Sequence, residues 1–322
     1  MKKLMSLRLV LLSLVLLLTA SGFIPKPEEK IKIGLVQPME HTSLNQIREA
    51  ILAELDELGL NGKITVDYKN AQGDAANINT IISQFVGDEV DFIVPIATGP
   101  AQAAAAATKT IPIVFAAVSY PVDAGLVTSL DVADKNITGV SNAIAIENIF
   151  ELAAELTPDA KTFGFVYNIG EVNAVSSIER AKAFCDANDL KYIEATITNS
   201  SELLQAAQSL TGRVDAIFTP NDNTVASAMP TLAAEAIKAG LPVYAGADSM
   251  IIDGGFATVG IDYDILGKQV AAILKRLIDG ETIAENPIEV VNEYAKIVNT
   301  TTAEAIGITL PQDVLDTFLI IE

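Results

Sequence analysis

The chain has 322 residues, half of them hydrophobic and 19% charged, with a formal net charge of −20, one cysteine and one histidine. Such acidity excludes nucleic-acid binding by phosphate neutralisation. One thiol excludes an internal disulfide, and one Cys with one His excludes a Cys/His zinc cluster.

In chain order, Lys2, Lys3 and Arg8 precede an apolar run over 9–18 and small residues over 19–22. This pattern predicts a secretory signal over 1–22, then a linker over 23–30; an uncleaved anchor is the competing reading. The run is shorter than the ~20 apolar residues that a membrane span needs. The body opens with a strand over 31–36. Leu44, Ile47, Ile51, Leu55 and Leu58 recur at helical spacing, with Ser43 and Gln46 as a capping box. A strand over 64–68, a helix opened by Asp74, a strand over 92–96, an alanine-rich helix from Pro100 and a strand over 113–115 follow.

The second half repeats that order. Strands over 163–167, 192–196, 216–219 and 242–244 alternate with helices over 175–188, 200–210 and from Thr224. The stretches VDFIVPIATGPAQ from Val90 and VDAIFTPNDNTVA from Val214 hold equivalent places. A tail adds a strand over 256–261, a helix over 263–278 and a strand over 288–298. Strands that are apolar throughout and alternate with helices imply parallel sheets covered on both faces. The fold class expected is therefore α/β, with two Rossmann-like lobes; one long sheet is the alternative. A tail of this length crosses back between lobes. Lobe 1 is expected over 31–142 and 263–285, and lobe 2 over 143–262 and 286–322, with a multi-strand hinge between them.

Ligands of parallel α/β sheets sit beyond the carboxyl ends of the strands. At one such end Thr98 is the expected N-cap, and it, Gly99 and Pro100 begin a helix whose free N–H groups suit a carboxylate. The twin junction, Pro220 to Thr224, is acidic at Asp222, beside Asn223. Facing walls of this kind suit a zwitterion such as an amino acid; ordinary helix capping explains either junction alone. Other strand ends add Glu40, His41, Ser119, Tyr120, Asn168, Asn173 and Asp248. Thr98 and Ser119 are expected to hold the carboxylate, and Asp222, helped by Glu40 or Asp248, the ammonium. Tyr263 is read equally as core, hinge or pocket wall. The chain has no Trp, which weakens a sugar-stacking reading. It has no G-x-S-x-G elbow, phosphate loop or G-x-G-x-x-G after a strand, so no enzyme, cofactor or metal is expected.

Further motifs carry a resemblance. They are Lys32-Ile33-Gly34 with Glu40-His41, Tyr68-Lys69-Asn70-Ala71-Gln72-Gly73-Asp74, Ala97-Thr98-Gly99-Pro100-Ala101-Gln102, Pro121-Val122-Asp123-Ala124-Gly125-Leu126, Pro220-Asn221-Asp222-Asn223-Thr224-Val225 and Gly260-Ile261-Asp262-Tyr263. With them the chain resembles the substrate-binding proteins of ABC transporters, in the family that includes tryptophan- and tyrosine-binding lipoproteins. The resemblance implies a type I periplasmic-binding fold and a cleft that closes on one small ligand, often an aromatic amino acid. It also implies docking of the closed form on a membrane permease; with the signal pattern, an exported monomer is expected. In one respect the chain departs from the family: Ser21 stands where the lipid-bearing cysteine is expected, so no lipid is expected there. A sensor domain presenting its ligand to a receptor, or a binder of nucleosides or sugars, remains the alternative.

Overall fold

The computed structural model describes residues 30–133 and 135–322; the expected signal and all but the last residue of the linker lie outside them. Two separate sheets form. The first uses β1 (Ile31–Gln37), β2 (Ile64–Asn70), β3 (Phe92–Pro95), β4 (Ile113–Ala116) and β5 (Ile137–Ser141). The second uses β6 (Thr162–Asn168), β7 (Lys191–Ile197), β8 (Ala216–Thr219), β9 (Val243–Ala245) and β10 (Ala257–Ile261). The tail supplies β11 (Glu289–Val290), β12 (Tyr294–Asn299) and β13 (Leu319–Ile321).

The sheet orders are β11-β5-β4-β3-β1-β2 and β13-β12-β10-β9-β8-β6-β7. The cores of the two orders superpose: β2-β1-β3-β4-β5 in one lobe is β7-β6-β8-β9-β10 in the other. The repeated sequence order is thus a repeated topology. All pairings are parallel except that of β12 with β10. In each sheet the winding reverses between two neighbours, β1 and β3 or β6 and β8. Their carboxyl ends diverge there and leave a crevice.

Central strands are buried on both faces, as their unbroken apolar runs require. β2 and β7 are only half-buried, because each is a sheet edge. The helix Thr42–Glu57 buries Leu44, Ile47, Ala50, Ile51 and Leu55. It lies against the helix Tyr263–Ile278, whose Gly267 makes the approach possible: a Cβ there would stand 2.5 Å from that of Ala50. The second lobe is centred on Phe150, with the rings of Phe163, Phe184 and Phe218 within 5.2 Å of it, centroid to centroid.

The chain passes between lobes after β5, after β10 and after β11. The last passage corrects an expectation. Residues 288–298 are two strands, not one: Glu289–Val290 pairs with β5 of the first sheet, and Tyr294–Asn299 with β10 of the second. The return to lobe 2 therefore falls after Val290 rather than after 285. The last residues, unread in the sequence, form the helices Thr300–Ala305 and Gln312–Thr317 and the outermost strand β13.

Candidate ligand-binding site between the lobes

The carboxyl ends of the two sheets face one another across a closed cleft. It encloses a cavity of about 20 Å³, room for a single water. Beside it a groove of about 330 Å³ opens to solvent. Ala97, Asn173 and Asn223 line both spaces and so form the partition between them.

Lobe 1 supplies the strained backbone. Ala97 follows β3 with φ +75°, and Ala117 follows β4 with φ +56°. Both are buried in a region that L-residues other than Asn and Asp rarely adopt. Ala97, not Thr98, is the N-cap, and the helix Thr98–Ala107 begins two residues before the expected Pro100. Its first internal bond is Ala101 N–H to Ala97 C=O, which leaves the N–H groups of Thr98 and Gly99 ahead of the ladder. Thr98 is 3% exposed, and its Oγ1 has no partner.

Lobe 2 supplies the acidic wall. The Asp222 carboxylate accepts the N–H of Asn168 at 2.6 Å and that of Val225 at 2.9 Å, and so caps the short helix Asn223–Ala226. Glu171 closes the same helix start, accepting from the backbone N–H and side chains of Asn223 and Thr224 at 2.6–3.1 Å. Burial, and then the charge of Glu171, hold Asp222 well above the usual carboxylate range; the N–H groups it accepts offset this only in part. Gly246 lets the next loop close in, since a Cβ there would stand 2.3 Å from the Asn221 nitrogen.

Hydrogen bonds join the walls. His41 Nε2–H donates to Asn223 Oδ1 at 3.2 Å. Nδ1 is then the bare acceptor of a neutral imidazole, and it has no partner. Burial lowers this histidine below its ordinary value, which keeps it neutral at pH 7. Asn221 Nδ2 donates to Ser119 Oγ at 2.9 Å, and Ser119 donates to Asn142 Oδ1 at 3.0 Å. Asn221 Oδ1 is left unpartnered. Ser43 and Ser249 bond across the cleft, Oγ to Oγ, at 2.5 Å. The buried hydroxyl of Tyr263 faces Ser43 and Asn142, which offset in part the rise that burial imposes on it. Leu44, Ile47, Ala226, Ala247 and Met250 complete an apolar wall.

Of the residues singled out in the sequence, His41, Thr98, Ser119, Asn173, Asp222 and Asn223 line the cavity. Gly99 and Asn168 line only the outer groove. Three expected site residues line neither space. Glu40 is exposed beyond the end of β1. Tyr120 stacks under Arg180 at the lobe boundary. Asp248 begins a helix behind the cavity, facing Asp262 and Asp264 at a lobe crossing. The Ser119 hydroxyl already donates its hydrogen bond to Asn142 Oδ1, so it is not free for a carboxylate. The Ser43–Gln46 capping box does not form, because the helix begins at Thr42 with His41 as its N-cap, which leaves Ser43 inside the first turn with its hydroxyl bonded across the cleft. Sequence reasoning missed Asn142, Asn221, Ala117 and Met250. Asn221 alone had a signal, its place inside the twin junction.

A family model described as ABC transporter substrate binding protein matches residues 32–318. The chain is 35% identical over 276 residues to the "Tyrosine-binding protein" of Clostridioides difficile (strain R20291), covering 85% of this chain and 80% of that one. An ABC domain from Streptococcus pneumonia in complex with L-Trp is 33% identical, with TM-score 0.88 over 91% of this chain and all of that one. The ligand-free, open structure of CD0873, a substrate binding protein from Clostridium difficile, is 34% identical; its TM-score is 0.70 over 91% of this chain and 99% of that one.

Proposed function

The chain belongs to the family of ABC transporter substrate binding proteins, and from that membership we propose that its cleft captures a single α-amino acid with an apolar, preferably aromatic, side chain. Proteins of this family act outside the cytoplasmic membrane and bind a solute without turning it over. Among the described residues no helix is long and apolar enough to cross a membrane.

One observation carries the ligand class. His41 Nδ1, Thr98 Oγ1 and Asn221 Oδ1 are buried, lack partners and belong to residues of one cavity. Buried polar atoms ordinarily have partners. Two of these three are pure acceptors, the third is a hydroxyl, and they suit the two ends of a zwitterion. The ligand carboxylate takes the Thr98 hydroxyl and the N–H groups of Thr98 and Gly99. The ammonium takes His41 Nδ1 and Asn221 Oδ1, with the Asp222 charge behind them. Its side chain lies against Ile47, Met250 and Tyr263. The names of the relatives, tyrosine-binding and L-Trp-bound, support an aromatic ligand.

The protein works by closing. At nearly equal identity it matches the L-Trp complex better than the ligand-free open structure, 0.88 against 0.70 in TM-score. That agrees with the bonds across its cleft. A ligand that touches both lobes favours the closed form by its differential affinity. The closed cavity is smaller than an amino acid, so binding exchanges some cross-lobe bonds for bonds to ligand. The closed form then presents a fixed surface to a permease. We place it as an exported monomer, without lipid at Ser21.

Titration calorimetry against L-tyrosine, L-tryptophan, the other amino acids, ribose and glucose tests this reading. Saturable binding of an aromatic amino acid is expected. Thr98→Val should weaken it by about 1.5–3 kcal/mol, the value of a hydrogen bond to a charged group, with no loss of thermal stability. Binding confined to sugars, or an unchanged affinity in Thr98→Val, contradicts it.

A further inference from the structure

We propose that Arg180 is a positioning residue for ligand capture: with Tyr120 and Asp123 it forms a latch outside the cavity that sets how much of the protein is closed. The proposal rests on the reading that the lobes close on an amino acid, and extends it to residues that the ligand does not touch.

The helix Val172–Ala187 of lobe 2 brings Asn173, Ser177 and Arg180 onto one face, at i, i+4 and i+7. The stripe runs outward from the cleft. Asn173 lines the cavity and donates to Asn221 C=O at 3.0 Å. Ser177 Oγ lies 3.5 Å from the Tyr120 hydroxyl. The Arg180 guanidinium carbon stands 3.9 Å from the Tyr120 ring centroid, and its Nη1 is 3.0 Å from Asp123 Oδ2. Tyr120 and Asp123 belong to lobe 1, and among the described residues this is the one ion pair that joins the lobes.

The lobe 1 half is a built platform. Ala124 N–H donates to Tyr120 C=O at 2.9 Å and Leu126 N–H to Pro121 C=O at 3.0 Å. Gln102, on the helix that begins at Thr98, donates to Ala124 C=O at 3.0 Å. Each half of the latch is therefore tied to a helix that contributes to the cavity, Thr98–Ala107 or Val172–Ala187. Arg180 and Asp123 line neither the cavity nor the outer groove.

Exposed ion pairs contribute little alone. This pair differs because the same guanidinium stacks on a largely buried ring and because both contacts bridge the two lobes. Separating the lobes breaks both contacts at once. The latch then adds to the closed fraction, and apparent affinity scales with that fraction.

The test measures the Kd for L-tyrosine and L-tryptophan at about 0.02 M and about 0.5 M NaCl, concentrations between which screening shortens several-fold. Wild type, Arg180→Ala and Arg180→Lys are compared. At low salt Arg180→Ala should bind about three- to tenfold more weakly, mostly through faster release. High salt should bring wild type towards Arg180→Ala, whose own Kd moves less. Arg180→Lys should recover the salt dependence but not the full affinity, since it keeps the charge and loses the flat stack. A second arm needs no ligand. Spin labels at Lys63→Cys and Lys191→Cys, one on each lobe, report the distance distribution of the ligand-free protein, in which native Cys185 is fully buried. Arg180→Ala should move population to longer distances. Unchanged distances overturn the latch even if wild type binds no amino acid, whereas absent binding with shifted distances overturns only the ligand reading. Equal affinity and equal salt response in wild type and Arg180→Ala also overturn it.

Discussion

At the residue scale the site depends on atoms held without partners and on one carboxyl held out of its usual range. Asp222 is fully buried, and only part of its acceptor capacity is used, by Asn168 and Val225. An ammonium arriving beside it favours the ionised form, so capture should release a proton wherever the free protein holds Asp222 neutral. Binding enthalpies measured in buffers of different ionisation heat should therefore differ in wild type and agree in Asp222→Asn. Enthalpies that stay equal in wild type at every pH where the protein is folded would remove Asp222 from the ammonium site. The sequence exposed this residue because an acidic loop closed one copy of a duplicated strand. It misplaced Glu40 and Asp248 for a simple reason: both follow strand ends, but position after a strand does not say which way a side chain turns. The positive φ of Ala97 and Ala117 left no mark in composition, since alanine carries no expectation of that backbone.

At the element scale the lobe crossings concentrate charge. The helix Tyr263–Ile278 is capped by Asp262, carries Asp264 in its first turn and ends in Lys275 and Arg276, an arrangement that suits its dipole. Asp248 faces that start. Burial, and then Asp262 and Asp264, raise its carboxyl from 3.8 to about 6, against the N–H that it accepts from Ser249. A raised carboxyl adds stability below its unfolded value and loses it as pH rises through the folded value. Asp248→Asn keeps the acceptor and never ionises. It should match wild type near pH 4 and be the more stable by about 1–3 kcal/mol at pH 8, as denaturant titrations at both pH values would show. Equal stability at pH 8 would mean that the Asp248 charge is not penalised in the fold. Most elements here were legible from periodicity, because apolar strands and amphipathic helices alternate cleanly. The tail was not. Residues 288–298 read as one extended run, and only pairing partners reveal that Val290 and Tyr294 serve different sheets.

At the scale of the whole molecule, a duplicated half has become two opposed jaws. Sequence repetition made that visible, because equal orders of strands and helices build equal sheets whose carboxyl ends hold equal loops. That the Thr98 and Asp222 junctions would face one another was read from the repeat, and both line the one cavity; how the other loops turn into it was not, since that depends on the three crossings that set one lobe against the other. The contacts across the cleft are polar and small: His41 to Asn223, Ser43 to Ser249, Asn221 to Ser119, and outside them Arg180 to Tyr120 and Asp123. None ties the lobes irreversibly, as a binder that must release its cargo requires. The most direct measurement of this account is a crystal structure of the protein grown with L-tyrosine or L-tryptophan. It should place the amino acid between the lobes, its carboxylate within hydrogen-bonding distance of Thr98 Oγ1 and its ammonium at His41 Nδ1 and Asn221 Oδ1. An amino acid seated only in the outer groove, or bound with its charges reversed between the two walls, would contradict it.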